Sequence, residues 1–153
     1  MAREQKINSL EDHIGYWLRS VSNHVSHAFA QKLADKNIAI AEWVLLRLLF
    51  GQKSLAPSYI AQRMGMTKGA VTKLTDRLIA KSLVIRTASP SDGRAQTISL
   101  TKEGEKLVPL LTCLADQNEQ ECFAFLSARD SRFLLQTLRS LAAHLAVKSI
   151  PVE

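Results

Sequence analysis

The sequence predicts a mainly α-helical fold carrying one small β-hairpin, and three patterns point to it. Apolar residues recur at helical spacing near both ends of the chain, as in Leu10, Ile14, Trp17, Leu18, Val21, Val25, Phe29 and Leu33. In the middle, two shorter helical stretches meet at Gly65. Two alternating segments then flank the turn-forming run Pro90-Ser91-Asp92-Gly93-Arg94.

The bulk composition sets the frame. With 153 residues, 46% hydrophobic and 22% charged, the chain can bury a core as one globular unit. Met-Ala-Arg-Glu-Gln-Lys at the start lacks an export signal's apolar run. The densest apolar stretch, Trp43 to Phe50, is interrupted by Arg47 and too short to span a bilayer, so no membrane association and a cytoplasmic location are expected. Cys113 and Cys122 fall on opposite faces of one predicted helix, which disfavours an intrachain disulfide. They read as buried small hydrophobes, with a redox switch as the alternative.

Taken in order, Asn8-Ser9-Leu10-Glu11 resembles a capping arrangement and opens a helix of about 25 residues, nearly 40 Å at the α-helical rise. Asn37 closes that region. A second helix runs from about Ala41 to Phe50, with Trp43, Leu46 and Leu49 inward and Gly51 as its stop. The third, about Pro57 to Met64, turns inward Ile60, Ala61 and Met64 and ends at Gly65. Thr67 can cap the fourth, whose Val71, Leu74 and Leu78 form one buried stripe. Short helix, sharp turn and second helix make a helix-turn-helix.

Leu83–Ala88 and Ala95–Leu100 read as the paired strands of the hairpin. Thr101 caps a fifth helix that Pro109 should kink near Glu105 without breaking, since Leu107, Leu110, Leu111 and Leu114 continue the stripe across it. Ser127-Ala128-Arg129-Asp130 opens a last helix bearing Phe133, Leu134, Leu138, Leu141 and Leu145. The terminal helices carry more apolar surface than one small domain can hide, which predicts a homodimer.

Charge singles out the middle. From Arg63 to Arg94 there are seven basic residues against two acids, a net +5 of the whole chain's +6. Such concentrated positive charge suits a polyanion, and the face of the fourth helix opposite its apolar stripe is small or basic. Lys68, Gly69, Thr72 and Lys73 are candidates for base-edge contacts, Arg77 and Arg86 for phosphates, and Arg94 for a narrow minor groove. Asp92 should orient the hairpin tip, and Asp76, which would repel phosphate, should pair with a neighbouring cation.

The run from Trp43 through Gly104 resembles the winged helix-turn-helix domain of the multiple antibiotic resistance regulator (MarR) family. The resemblance rests on Leu-x-x-x-x-Ile-Ala, Thr-x-x-x-Val-Thr-x-Leu-x-Asp-Arg-Leu, Leu-Val-x-Arg, Asp-x-Arg at the hairpin and Leu-Thr-x-x-Gly after it. It implies a single protomer over residues 1–153, with the DNA-binding region at 38–104 and dimerisation helices at 8–37 and 105–148. It also implies a transcriptional regulator, in most members a repressor. Two copies of the fourth helix would sit in successive major grooves of a palindromic operator in double-stranded DNA.

Members also bind small aromatic or phenolic effectors between the dimer helices and the winged domain, where Tyr16, Trp17, His24, Trp43 and Arg47 would line the crevice. The chain departs from the family pattern at three caps. Ala39 and Ala56 stand where Thr or Ser is usual, leaving Ser58 or bare amides to meet a phosphate, and Ser82 replaces a helix-ending Gly.

Other functions find less support. There is no Gly-rich phosphate loop, nucleophile elbow or paired carboxylate face, so the chain does not read as an enzyme, and no cofactor is expected. His24 and His27 share a helix face, but without the partners a metal site needs, so metal is not expected. A non-sequence-specific DNA-packaging module is the remaining alternative.

Overall fold

The computed structural model describes residues 7–89, 91 and 93–152. Among these residues six α-helices and one hairpin follow in the order α1 (Ile14–Ala34), α2 (Ile40–Leu49), α3 (Pro57–Met64), α4 (Lys68–Ala80), β1 (Val84–Ala88), β2 (Gln96–Leu100), α5 (Lys102–Phe123) and α6 (Ala128–His144). The mainly α fold with its β wing is thus as the sequence predicts.

The first helix is shorter than expected. A separate 3-10 turn, Leu10–Asp12, precedes it, and His13 between them is extended at φ −103°, ψ 125°. Local side chains hold this break: the Ser9 amide donates to Asp12 Oδ2 at 2.9 Å, and Trp17 Nε1 donates to the Glu11 carbonyl at 2.9 Å. Polar side chains that bond nearby backbone compete with helix continuation here. The remaining 21 residues of α1 span about 31 Å. Asn37 ends the region in a left-handed conformation, φ 56°. Pro109 lies within α5, which runs through it unbroken.

β1 and β2 pair antiparallel from Val84 opposite Leu100 to Ala88 opposite Gln96. The strands are each one residue shorter than the sequence pattern. Leu55, between α2 and α3, exchanges two backbone hydrogen bonds of 2.8 Å with Ile98 and so adds a bridge to the sheet edge.

The core gathers Leu33 of α1, Leu45, Leu46 and Leu49 of α2, Ile60 and Met64 of α3, Val71, Leu74 and Leu78 of α4, the hairpin's Val84 and Ile98, and Val108 and Leu111 of α5. Trp43 is only half-buried and meets Phe29 edge-on at 6.1 Å. A polar clamp joins α1 to α5. Buried Asn118 donates to the Val25 carbonyl at 3.2 Å, and Lys32 pairs with Glu121 at 2.6 Å. Hydrogen bonds from Lys32 and then Gln117 hold the Glu121 carboxyl below its ordinary range.

No residue of α6 is buried. In the N-terminal half of α1, Ile14, Trp17 and Val21 are also exposed, as are Phe133, Leu134 and Leu138 of α6. These apolar stripes have helical regularity without an intramolecular cover. No helix among the described residues is long and apolar enough to cross a membrane.

Candidate nucleic-acid interface

The helix-turn-helix is built from three local signals. Pro57 occupies the first position of α3, where its missing amide costs no helical bond. Gly65 then adopts φ 62°, which a residue with a Cβ rarely tolerates, and swings the chain into the turn. Thr67 caps α4 by accepting the Ala70 amide at 3.1 Å.

The inward face of α4 is Val71, Leu74, Thr75 and Leu78. Thr75 can be buried because its hydroxyl donates to the Val71 carbonyl at 2.8 Å. That leaves Lys68, Gly69, Thr72, Lys73, Asp76, Arg77 and Ala80 on the exposed face, together as the sequence predicts, with the capping Thr67 exposed beside them. The Thr72 hydroxyl rests on the Lys68 carbonyl at 3.0 Å. Around Gly69, a methyl group would meet no atom within 4 Å, so packing inside the protomer does not demand glycine there. Ser58 is exposed in the first turn of α3, whose cap residue Ala56 makes no side-chain bond.

The wing is joined to this face by Arg86. Side chains alternate along a strand, so Arg86 shares the inner face with buried Val84 two residues earlier and reaches back over α4. Its Nη2 pairs with Asp76 Oδ1 at 2.7 Å and donates to the Thr72 carbonyl at 3.2 Å. The expected partner for Asp76 is therefore Arg86, and that pairing changes the reading of Arg86: the guanidinium end assigned to phosphate is engaged within the protein. Arg94 is exposed at the far end of the hairpin, which the Ser89 amide closes by donating to the Ala95 carbonyl at 2.7 Å. Asp92 and Pro90 lie outside the described residues.

A second charged centre went unread in the sequence. Glu42 is buried, with only 3% of its side chain exposed, and its carboxylate meets three groups. Oε2 accepts the Ala39 amide at 2.9 Å and Lys81 Nζ at 2.8 Å, while Oε1 lies 3.7 Å from Arg77 Nε. The absent Thr at position 39 is thus offset by a carboxylate three residues later, one half of a capping box. That spacing was visible in Ala39-Ile40-Ala41-Glu42; the pairing with residues 35 and 39 positions downstream was not. Ser82, where the family pattern has Gly, adopts φ 60° and so carries backbone strain at the end of α4.

The candidate effector residues have separate neighbours. Tyr16 and Trp17 are exposed and meet edge-on at 5.1 Å, Trp43 packs on Phe29, and Arg47 lies 5.8 Å above the Phe50 ring. His24 is exposed on α1. Cys113 and Cys122 are free thiols, the first exposed and the second half-buried, which corrects the expectation that both are core residues. α5 places Cys113 on its solvent side because Val108 and Leu111 define the buried one.

Residues 38–95 match the sequence profile of the MarR family. The chain is 33% identical over 105 residues to the HTH-type transcriptional regulator PrsX of Escherichia coli, a match covering 67% of this chain and 63% of that relative. It superposes on the S. aureus MepR–DNA complex with a TM-score of 0.77 and 27% identity, covering 86% of this chain and 98% of that one. The chain belongs to the MarR family. A further relative, the HTH-type transcriptional repressor MdtR of Bacillus subtilis (strain 168), is 29% identical over 131 residues, which are 86% of this chain and 79% of that protein. In this MarR-family chain, α3 and α4 form the helix-turn-helix and β1–β2 the wing.

Proposed function

We propose that the protein is a sequence-specific DNA-binding transcriptional repressor, acting as a homodimer on a palindromic operator. The observation that carries this reading is the exposed face of α4, where Thr67, Lys68, Gly69, Thr72 and Lys73 project together above a fully buried Val71–Leu74–Leu78 stripe. Thr and Lys side chains match base-edge acceptors and the thymine methyl in the major groove. Arg77 and the amides near Ser58 suit flanking phosphates, and Arg94 on the wing suits the minor groove. The S. aureus MepR–DNA complex of similar fold and the repressor MdtR support the same direction.

Dimerisation follows from the uncovered apolar stripes of α1 and α6, so the helices over 8–37 and 105–148 serve as the dimer module and residues 38–104 as the reading head. A two-fold pair places its two α4 helices in successive major grooves, about 34 Å apart. A small aromatic or phenolic effector is proposed to bind between these modules, against Tyr16, Trp17, His24, Trp43 and Arg47, and to release the operator. Exposed rings at Tyr16 and Trp17 and the exposed cation of Arg47 support that chemistry.

The deciding experiment selects genomic fragments with the purified protein and then measures competition between the selected site and random DNA at fixed salt. A specificity ratio well above ten is expected, by analogy with specific sites in general. A ratio near one would replace this reading with a non-specific packaging protein, and a monomer by light scattering would remove the dimer.

A further inference from the structure

The chain does not end at α6. Ala146 reverses it with φ 51°, and the Val147 amide caps the helix on the Ala142 carbonyl at 3.0 Å. The following residues return to the helix-turn-helix. The Ile150 amide donates to the Arg63 carbonyl at 2.9 Å, in the last turn of α3. That carbonyl is one of the four that a helix terminus leaves without an intrahelical partner.

Three other features fix the same contact. Ser149 lies over Gly65 so closely that a Cβ on Gly65 would stand 2.9 Å from Ser149 Cβ. Ile150 and Val152, both half-buried, pack against the hydrophobic core. Pro151 disfavours helical backbone at Ile150, so the tail cannot continue as helix there. α6 has no buried residue of its own, so the protomer holds it mainly at its ends: the turn after α5, and this tail.

We propose that residues 149–152 are a positioning strap for the DNA-reading head. The strap fixes the turn between α3 and α4 and links it to α6, so that the set of α4 against DNA depends on a segment remote in sequence from every DNA-facing residue. Its DNA consequence rests on the function proposed above. Its grip on the turn does not.

The test compares full-length Ile150→Asp and the milder Ile150→Ala with Lys148→Ala, an exposed neighbour outside the contact. Amide exchange is followed in peptides spanning residues 63–68 and in peptides from α5, together with affinity for the DNA selected by the wild-type protein. For both Ile150 variants, exchange at 63–68 should quicken while α5 is unchanged, and DNA affinity should fall about tenfold for Ile150→Asp and less for Ile150→Ala. Lys148→Ala should do neither. Unchanged exchange at 63–68 overturns the strap whatever the DNA result. Faster exchange throughout the chain overturns it in favour of a general folding role. Faster exchange at the turn with unaltered DNA affinity overturns the positioning role. If the wild type selects no DNA, the function proposed above fails, and the exchange measurement alone decides whether the strap holds the turn.

Discussion

Asp76 and Arg86 form a 2.7 Å ion pair, and the same Arg86 nitrogen also donates to the Thr72 carbonyl, so one guanidinium ties the wing to the middle of α4. Asp76 is 56% exposed and Arg86 27%, and pairs this wet contribute at most about 1 kcal/mol to stability. Their value lies in orientation. Asp76→Ala removes a negative charge from the proposed DNA-binding face, so charge alone predicts tighter binding. We expect the opposite: weaker operator binding with little change in thermal midpoint, because the wing loses its anchor. Titrations over a range of salt separate the two, since loss of a strut leaves the salt slope unaltered whereas an Arg86 freed to reach a phosphate would steepen it by about one.

Glu42 supports the other end of α4. Replacing it with Ala leaves the Lys81 ammonium and the Ala39 amide without their carboxylate acceptor in a mostly dry site. The expected loss is about 2–3 kcal/mol, below the range for fully buried pairs because Lys81 is 27% exposed. Glu42→Gln keeps an acceptor for the amide and should cost less. Urea denaturation of the two variants measures the order, and equal losses would show that the cap bond contributes nothing.

The difference between what was and was not readable in the sequence is largely one of range. Pro57, Gly65, Thr67, Thr101 and Ser127 announce their helix ends because each acts on backbone within three residues, and the structure has each cap where the pattern puts it. The exposed face of α4 was legible for the same reason, following directly from helical periodicity. The break at His13 is not readable because an apolar stripe continues across it, while the bonds that make it come from the Asp12 side chain, which accepts the Ser9 amide, and the Trp17 side chain. Glu42 with Lys81, Arg86 with Thr72, and Ile150 with Arg63 are tertiary meetings, and no periodicity encodes them.

Ser82 tests a local departure from the family pattern. With φ at 60°, its Cβ is strained by about 1 kcal/mol, part of which Gly would return through greater freedom in the unfolded chain. Ser82→Gly should therefore raise stability by somewhat less than about 1 kcal/mol, seen as a midpoint rise of about 2 °C. A lower midpoint would mean that contacts of the Ser82 side chain outweigh its backbone strain.

Arg94 and Arg77 should fail in different ways when replaced. Arg94→Ala removes a candidate minor-groove contact and is expected to weaken operator binding by about 1 kcal/mol or more, with part of the sequence preference lost. Arg77→Ala should weaken operator and random DNA alike, since phosphates are the same at every site. Affinities of both variants for both DNAs at one salt concentration give the comparison. Unchanged operator affinity in Arg94→Ala would take that residue out of the interface.

Gly69 offers a test in which stability and binding should move in opposite directions. It sits in the first turn of α4 with open space where a Cβ would project, so Gly69→Ala meets no clash in the free protein. Alanine also loses less backbone entropy in a helix, and the variant should be more stable by about 0.5–1 kcal/mol. If α4 lies in the major groove by its first turn, the same methyl group occupies space that a base edge or the DNA backbone approaches, and operator affinity should fall. A variant that is both more stable and binds at least as well would mean that DNA does not come close to Gly69. The docking would then have to shift toward Thr72 and Lys73, one turn further along the helix.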